Sequence, residues 1–288
     1  MTELPRTRGP LVALLESRGL RLRRRDGQNF LVEPKVADGI VSDAGVTRRD
    51  AVIEIGPGAG AITVPLLAAA GRVTAVELDR GLAELLREHL GADPRLRLHH
   101  GDALDGPGGL HPAIVEELAA ARREGFERTV VVANLPYSVG TELVIRLLSL
   151  PAPPDWMDVM LQAEVVARMT AAPDTDAYGP LAVLVALAAR TKVLRRVGAS
   201  SFFPRPDVES VVVRVAPDAE RRAAGDVAGA AALARRAFLQ RRKTLARSLD
   251  GVADRAALER AGLDPAARAE TVPPAGWLRL AEAVRAAP

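Results

Sequence analysis

The chain contains no cysteine, only three lysines (Lys35, Lys192, Lys243) and few aromatic rings: five phenylalanines, two tryptophans and two tyrosines. Without thiols there is no disulfide, no thiolate zinc site and no cysteine nucleophile, which suits a reducing compartment. The histidines (His89, His99, His100, His111) lack ligand spacing, so no metal is expected. No apolar run approaches the roughly 20 residues of a membrane-spanning helix. The start, MTELPRTRGPLVALLESRGLRLRRR, is Arg-rich, but its apolar core is too short and interrupted for a signal peptide. A cytoplasmic protein with no membrane partner is the expectation.

What is present supports a folded, two-part chain. Hydrophobic residues make up 48% of the 288, ample for a core. The formal charge is only +3, but the positive residues are clustered. Arg6, Arg8, Arg18, Arg21, Arg23, Arg24 and Arg25 stand in the first 25 residues against Glu3 and Glu16. Arg235, Arg236, Arg241, Arg242, Lys243 and Arg247 form a second cluster with no acid inside it. Such clusters can grip a phosphate backbone; the bland alternative is a solvated face in an arginine-rich protein.

Apolar strand-like runs alternate with helical patterns over 51–55, 72–77, 96–100, 129–134, 156–162, 192–197 and 208–216. That alternation predicts an α/β domain with a mostly parallel sheet. The segment 106–126 should add a helix. Beyond Pro217 only helical periodicity remains, so the predicted domains are residues 1–217, a basic arm plus the sheet domain, and 218–288, a small all-helical domain.

In VIEIGPGAGAIT a strand runs into Gly56-Pro57-Gly58-Ala59-Gly60 and then a helix. Glycines there permit positive φ and close approach of a ligand to the backbone. Glu77 closes the next strand, where a carboxylate can accept from both hydroxyls of a ribose. The spacing is not the G-x-G-x-x-G of a pyrophosphate site, which favours a nucleoside without phosphates, such as S-adenosylmethionine, over a dehydrogenase's dinucleotide. A glycine turn with no ligand stays open. Asp102, after the third strand, can accept from an adenine amino group or serve as a helix cap.

One of the two tyrosines closes the tetrapeptide Asn134-Leu135-Pro136-Tyr137 at another strand end. The Asn134 side-chain oxygen and the Leu135 carbonyl can both accept from an exocyclic amine, aiming its lone pair at a methyl donor. Pro136 stiffens the turn and has no N–H to compete. Tyr137 offers a face for an extruded base. Phe202, held before the last strand by Pro204 and Pro206, is a candidate for the other wall, or else a core residue.

With these residues in place, the chain resembles the rRNA adenine-N6,N6-dimethyltransferases, and among them the kasugamycin-sensitivity branch that modifies small-subunit RNA. The shared segments run almost end to end: GQNFLVEP, VIEIGPGAGAIT, AVELD, GDALD, NLPYSVGT, MLQAEVVARM, FFPRPDVES, FLQRRKTLARSL and ARAE. The resemblance implies a Rossmann-like class I methyltransferase domain with a small helical domain. It implies transfer of methyl groups from S-adenosylmethionine to two adjacent adenosines in the 3′-terminal hairpin of 16S rRNA, in a pre-30S particle; for the oligomeric state, which the sequence leaves open, a monomer is the default expectation. It makes Asn29, Leu31, Gly56, Gly58, Glu77, Asp102 and Asn134 cofactor contacts. Asn134, Leu135, Tyr137 and Phe202 become the catalytic set, and Arg24, Arg25, Arg241, Arg242 and Lys243 RNA contacts. Pro180, Ala163 and Glu142 depart from the family's usual Arg, Lys and Pro. The rivals are the antibiotic-resistance branch acting on 23S rRNA, a non-catalytic RNA-binding assembly factor, and a dehydrogenase.

Overall fold

Asp50–Ile55 is buried at every position, as is Arg72–Glu77. Only strands covered on both faces show that pattern, and it belongs to parallel sheets with helices on either side. The computed structural model, which describes residues 4–20, 29–136 and 138–286, places both in a seven-stranded sheet. Its strands are β1 (Asp50–Ile55), β2 (Arg72–Glu77), β3 (Leu96–His100), β4 (Arg128–Asn134), β5 (Trp156–Gln162), β6 (Ala189–Val197) and β7 (Ser210–Pro217). All seven are the strands expected from sequence, with small differences at their ends.

The order across the sheet is β3-β2-β1-β4-β5-β7-β6. Pairings β1–β2, β2–β3, β1–β4 and β4–β5 are parallel, whereas β7 runs antiparallel to β5. This is a Rossmann-like α/β sheet. The order reverses between β1 and β4, where ligands bind beyond the carboxyl ends of the strands. Two-residue ladders, too short to leave an alternating pattern, join Phe30–Leu31 to Phe202–Phe203 and Leu104–Asp105 to Gly109–Leu110. The helix expected within 106–126 is Pro112–Ala120.

The chain divides into two units. One holds the described residues of Met1–Ala163 with Lys192–Val215, and the other those of Glu164–Thr191 with Ala216–Pro288. The second unit resumes at Ala216, and it also takes in Glu164–Thr191, which chain order had assigned to the sheet domain. The reason is the helix Pro180–Ala188, whose residues Ala182, Val183, Leu184, Val185, Leu187 and Ala188 are all buried. A helix apolar on every side belongs in the middle of a bundle. Tyr178, Ala182, Val183 and Leu187 share one core with Ala230, Leu233, Trp277 and Leu280. In that core the Tyr178 and Phe238 rings meet edge-on, 6.0 Å apart, and the Tyr178 hydroxyl donates to the Val272 carbonyl at 2.8 Å.

The described part of the basic arm contains a docked helix, Arg8–Ser17. Leu4, Leu11 and Leu15 are buried with Leu82, Leu85 and Leu86 of the helix Arg80–Leu90. Arg6 pairs with Asp38 and Arg18 with Glu88, so these charges are already matched. Arg8 lies over the Phe203 ring, 4.5 Å from its centre.

A buried ion pair fixes helix Pro112–Ala120 to the sheet. Arg72 of β2 donates from Nε and Nη2 to Glu117 Oε1 at 2.8 and 2.5 Å, and Thr74 Oγ1 donates to Glu117 Oε2 at 2.8 Å. Glu117→Ala strands the buried guanidinium on its remaining partner, Glu124, and should destabilise this unit by about 3 kcal/mol. Denaturant midpoints check this, and a loss below about 1 kcal/mol would contradict the role given to the pair.

Candidate active site

Because β3, β2, β1 and β4 are adjacent and parallel, the segments that follow them emerge along one edge of the sheet. Gly56–Gly60 follows β1, Glu77 ends β2, Asp102 lies just beyond β3, and Asn134 ends β4. Together they line a cleft of about 520 Å³, with Asn29, Phe30 and Leu31 also at its wall. That volume suits a ligand of nucleoside size.

The loop after β1 keeps its shape through glycine. Gly56, Gly58 and Gly60 have φ of 67°, 58° and 80°, a region that residues with side chains avoid. Space is also short. A Cβ on Gly58 would lie 3.2 Å from the Phe30 ring, and one on Gly60 would lie 2.5 Å from Leu4 Cδ2. The Gly58 N–H donates to Glu77 Oε2 and the Asp79 N–H to Glu77 Oε1, each at 2.8 Å. Both carboxylate oxygens are thus held in place by backbone, each with a lone pair to spare for a ribose hydroxyl. Burial pushes the Glu77 carboxyl up, and the N–H groups of Asp79 and Gly58 pull against that rise. Asp102 is exposed, and its Oδ1 accepts from the Leu104 N–H at 2.9 Å, so it closes a turn as well as lining the cleft.

At the end of β4, Asn134 Nδ2 donates to the Asn29 carbonyl at 3.3 Å. That bond assigns the nitrogen end of the amide and leaves Oδ1 as its acceptor end. Leu135 is buried, and its N–H donates to the Met160 carbonyl at 3.3 Å. The Pro136 carbonyl accepts from Val139 and Gly140, which starts the helix Gly140–Ser149.

The described residues bring together Asn29, Leu31, Gly56, Gly58, Glu77, Asp102, Asn134 and Leu135, all expected from sequence. Tyr137, Arg24 and Arg25 lie outside the described residues. Phe202 does not line the cleft: it is 3% exposed, packs with Val212 and Val197, and pairs in register with Leu31. As it stands, its ring supports the cleft wall from behind and offers no open face to a base. Arg242 and Lys243 are exposed, whereas Arg241 is bound to Glu270.

Three cleft residues went unread in the sequence. Phe30, inside the GQNFL run, buttresses the glycine loop. Leu78 is 65% exposed at the lip, an apolar group next to Glu77. Glu54 is 1% exposed, and its Oε2 has no hydrogen-bond partner among the described residues. Burial pushes the Glu54 carboxyl up to about 8, and the neighbouring Glu77 carboxylate adds to the rise. An acid set between Ile53 and Ile55 in a fully buried strand was the available signal.

The electrostatics of the cleft narrow the ligand class. Its described lining includes the carboxyl groups of Glu54, Glu77, Asp79 and Asp102, but no lysine or arginine. A pyrophosphate would be repelled there, and a ligand carrying positive charge would be held. Among the described residues no group of three or more His, Asp or Glu is placed to hold a metal, and no helix is long and apolar enough to cross a membrane.

Comparison with known proteins gives this site a context. The chain matches the family described as "Ribosomal RNA adenine dimethylase" over residues 19–286. It is 42% identical over 269 residues to the ribosomal RNA small subunit methyltransferase A of Phenylobacterium zucineum, covering 93% of this chain and 90% of that one. A protein of the same name from Methylococcus capsulatus is 40% identical over 258 residues, covering 90% and 96%. Among solved structures, the 23S rRNA methyltransferase ErmE superposes with a TM-score of 0.61 at 26% identity, over 89% of this chain and 100% of that one. A dimethyladenosine transferase from Plasmodium falciparum has the same fold, with a TM-score of 0.67 at 24% identity over 86% and 94%.

Gly58→Ala tests the loop. A side chain at that φ forces the loop to shift and loosens the N–H that orients Glu77. Affinity for S-adenosylhomocysteine should fall by about ten-fold, equivalent to about 1.4 kcal/mol. Calorimetric titration giving an unchanged affinity would contradict this account of the loop.

Proposed function

Since the chain belongs to the ribosomal RNA adenine dimethylase family, we propose that it dimethylates N6 of two adjacent adenosines in the 3′-terminal hairpin of small-subunit (16S) rRNA. The methyl donor is S-adenosylmethionine, and the protein works as a monomer on an immature small-subunit particle in the cytoplasm. The observation that carries this reading is the polarity of the Asn134 amide at the end of β4, set by the Asn29 carbonyl.

The residues fit the donor. An acidic, nucleoside-sized cleft with no described cation suits a ligand bearing an ammonium and a sulfonium. Bound there, S-adenosylmethionine supplies an electrophilic methyl group. Glu77, with both oxygens oriented, takes the ribose hydroxyls; Asp102 takes the adenine amino group; and Gly56, where only Pro136 atoms lie near an added Cβ, lets the ligand lie against backbone. Glu54 is the buried acid suited to the ammonium.

At the target, an exocyclic amine has its lone pair delocalised into the purine ring. Acceptors on its two N–H groups favour the pyramidal nitrogen that carries positive charge as the methyl arrives. Asn134 Oδ1 and the Leu135 carbonyl are those acceptors. No side-chain base is needed, because the alkylated amine is acidic enough to lose its proton to water. The extruded base stacks on Tyr137, and Phe202 backs the wall. Arg24, Arg25, Arg242 and Lys243 serve the RNA backbone.

Small-subunit RNA is favoured over 23S RNA by the two relatives at 40% and 42% identity that carry the small-subunit name, against 26% for the 23S enzyme. Purified protein should transfer methyl groups to immature 30S particles and not to naked 23S rRNA; the reverse preference would overturn the assignment. Asn134→Ala should leave RNA affinity nearly intact and lower kcat by about 100-fold or more, the scale set by losing one preorganised polar partner of a transition state. A near-normal kcat would remove Asn134 from the chemistry.

Glu54 adds a pH dependence. With its carboxyl near 8 in the free protein, it is protonated at neutral pH. A bound cation favours the carboxylate, so donor binding expels a proton and affinity rises with pH between about 6 and 7.5, below the range where the donor's own α-ammonium titrates. Titration calorimetry should show this rise, and Glu54→Gln should flatten it. An affinity that is level or falling over that range in the unaltered protein would contradict the role.

A further inference from the structure

The helix Val227–Phe238 ends in a turn, Leu239-Gln240-Arg241-Arg242-Lys243, that sets the second basic cluster. Arg235, Arg236, Arg242, Lys243 and Arg247 are exposed and have no ion-pair or hydrogen-bonding side-chain partner among the described residues. Arg241 is different. Its Nε donates to Glu270 Oε2 at 2.7 Å, its Nη1 to the Asp176 carbonyl at 2.9 Å and its Nη2 to the Thr175 carbonyl at 3.3 Å. Glu270 is tied in turn, because its own carbonyl accepts from the Asp174 N–H at 2.9 Å. The far side of the turn is pinned as well: Lys243 N–H donates to the Gln240 carbonyl at 2.8 Å, and Leu245 N–H to the Ala267 carbonyl at 2.8 Å.

We propose that Arg241 and Glu270 form a brace that holds Arg242 and Lys243 in one fixed register for an RNA backbone, Arg241 itself not being an RNA contact. This rests on the reading that the protein works on RNA, and it removes Arg241 from the RNA contacts expected from sequence. All three guanidinium nitrogens of Arg241 are committed to oxygen acceptors inside the helical unit, and its charge is matched by Glu270. A matched cation releases few counterions when RNA binds, whereas the exposed Arg242 and Lys243 release theirs. The brace contributes by ordering the turn before RNA arrives, so less conformational freedom is lost on binding. It also links two stretches far apart in the chain, the basic turn and the ARAE segment at 267–270.

Glu270→Gln separates brace from charge, because the two accounts predict opposite signs. If only net charge mattered, removing a carboxylate beside the basic turn would tighten RNA binding. If the brace operates, the variant binds small-subunit rRNA about three- to ten-fold more weakly, the ordering cost of one or two side chains. Measured over a salt series, log Kd should shift without a change of slope. Arg241→Gln should give the same parallel shift, the double variant should be no worse than either single one, and Arg241→Lys should not rescue, since one ammonium cannot span three acceptors. Arg242→Gln, by contrast, should reduce the salt slope by about 0.7–0.9.

Tighter binding by Glu270→Gln, or a salt slope lowered by Arg241→Gln as much as by Arg242→Gln, overturns the brace and leaves the proposed function standing. Should Arg241→Gln fail to fold, the isosteric Glu270→Gln decides alone. Unaltered protein that binds small-subunit rRNA no better than heparin overturns the proposed function and the brace with it.

Discussion

The Asn134 amide has a donor end and an acceptor end of nearly equal size, and one hydrogen bond, from Nδ2 to the Asn29 carbonyl, decides which end is which. The partner belongs to the segment running into Phe30–Leu31, which is itself held by its ladder to Phe202–Phe203. The polarity of the amide therefore depends on a contact between residues more than one hundred positions apart in sequence, stabilised by a two-residue strand. If that ladder opens, nothing on β4 alone keeps the acceptor in place. Phe202 belongs to this support: paired with Leu31 and buried against Val212, it fixes the wall on which Asn29 is carried.

The same economy governs the opposite wall of the cleft. Glu77 is oriented by the Gly58 and Asp79 N–H groups, so the glycine loop and the acid that ends β2 form one structure. The loop in turn is packed from outside, by Phe30 against Gly58 and by Leu4 against Gly60. Leu4 comes from the segment preceding the docked helix Arg8–Ser17, which gives the start of the chain a packing role beside the cleft as well as its charge. The described lining of the cleft is acidic and holds no lysine or arginine.

Much of this was legible in the sequence, and the limits have physical causes. Strands β1, β2, β4 and β5 are long, apolar and flanked by turn residues, so their place in a parallel sheet follows from composition and spacing. Gly56, Glu77, Asp102 and Asn134 stand at the ends of such strands, which is why they could be found. Phe30–Leu31 was too short to show a strand period, and its role depends wholly on a partner far away in the chain. The helix Pro180–Ala188 was placed in the sheet domain because strands follow it; its all-round apolar surface was the stronger signal for membership of the bundle. Arg241 could not be told from Arg242 by sequence, since the difference lies in Glu270 and in two carbonyls that local spacing does not reveal. Glu54 was passed over because an acid in a buried strand reads as a misfit until the cleft beside it is seen.

The central claim, that this cleft installs two methyl groups on each of two neighbouring adenosines of small-subunit RNA, is tested most directly by mass spectrometry of that RNA from cells with and without the gene. Paired N6,N6-dimethyladenosines are expected near the 3′ end when the gene is present, and unmodified adenosines at those positions when it is absent. Dimethylation that persists without the gene, or a gene-dependent methyl group found only on large-subunit RNA, would contradict it.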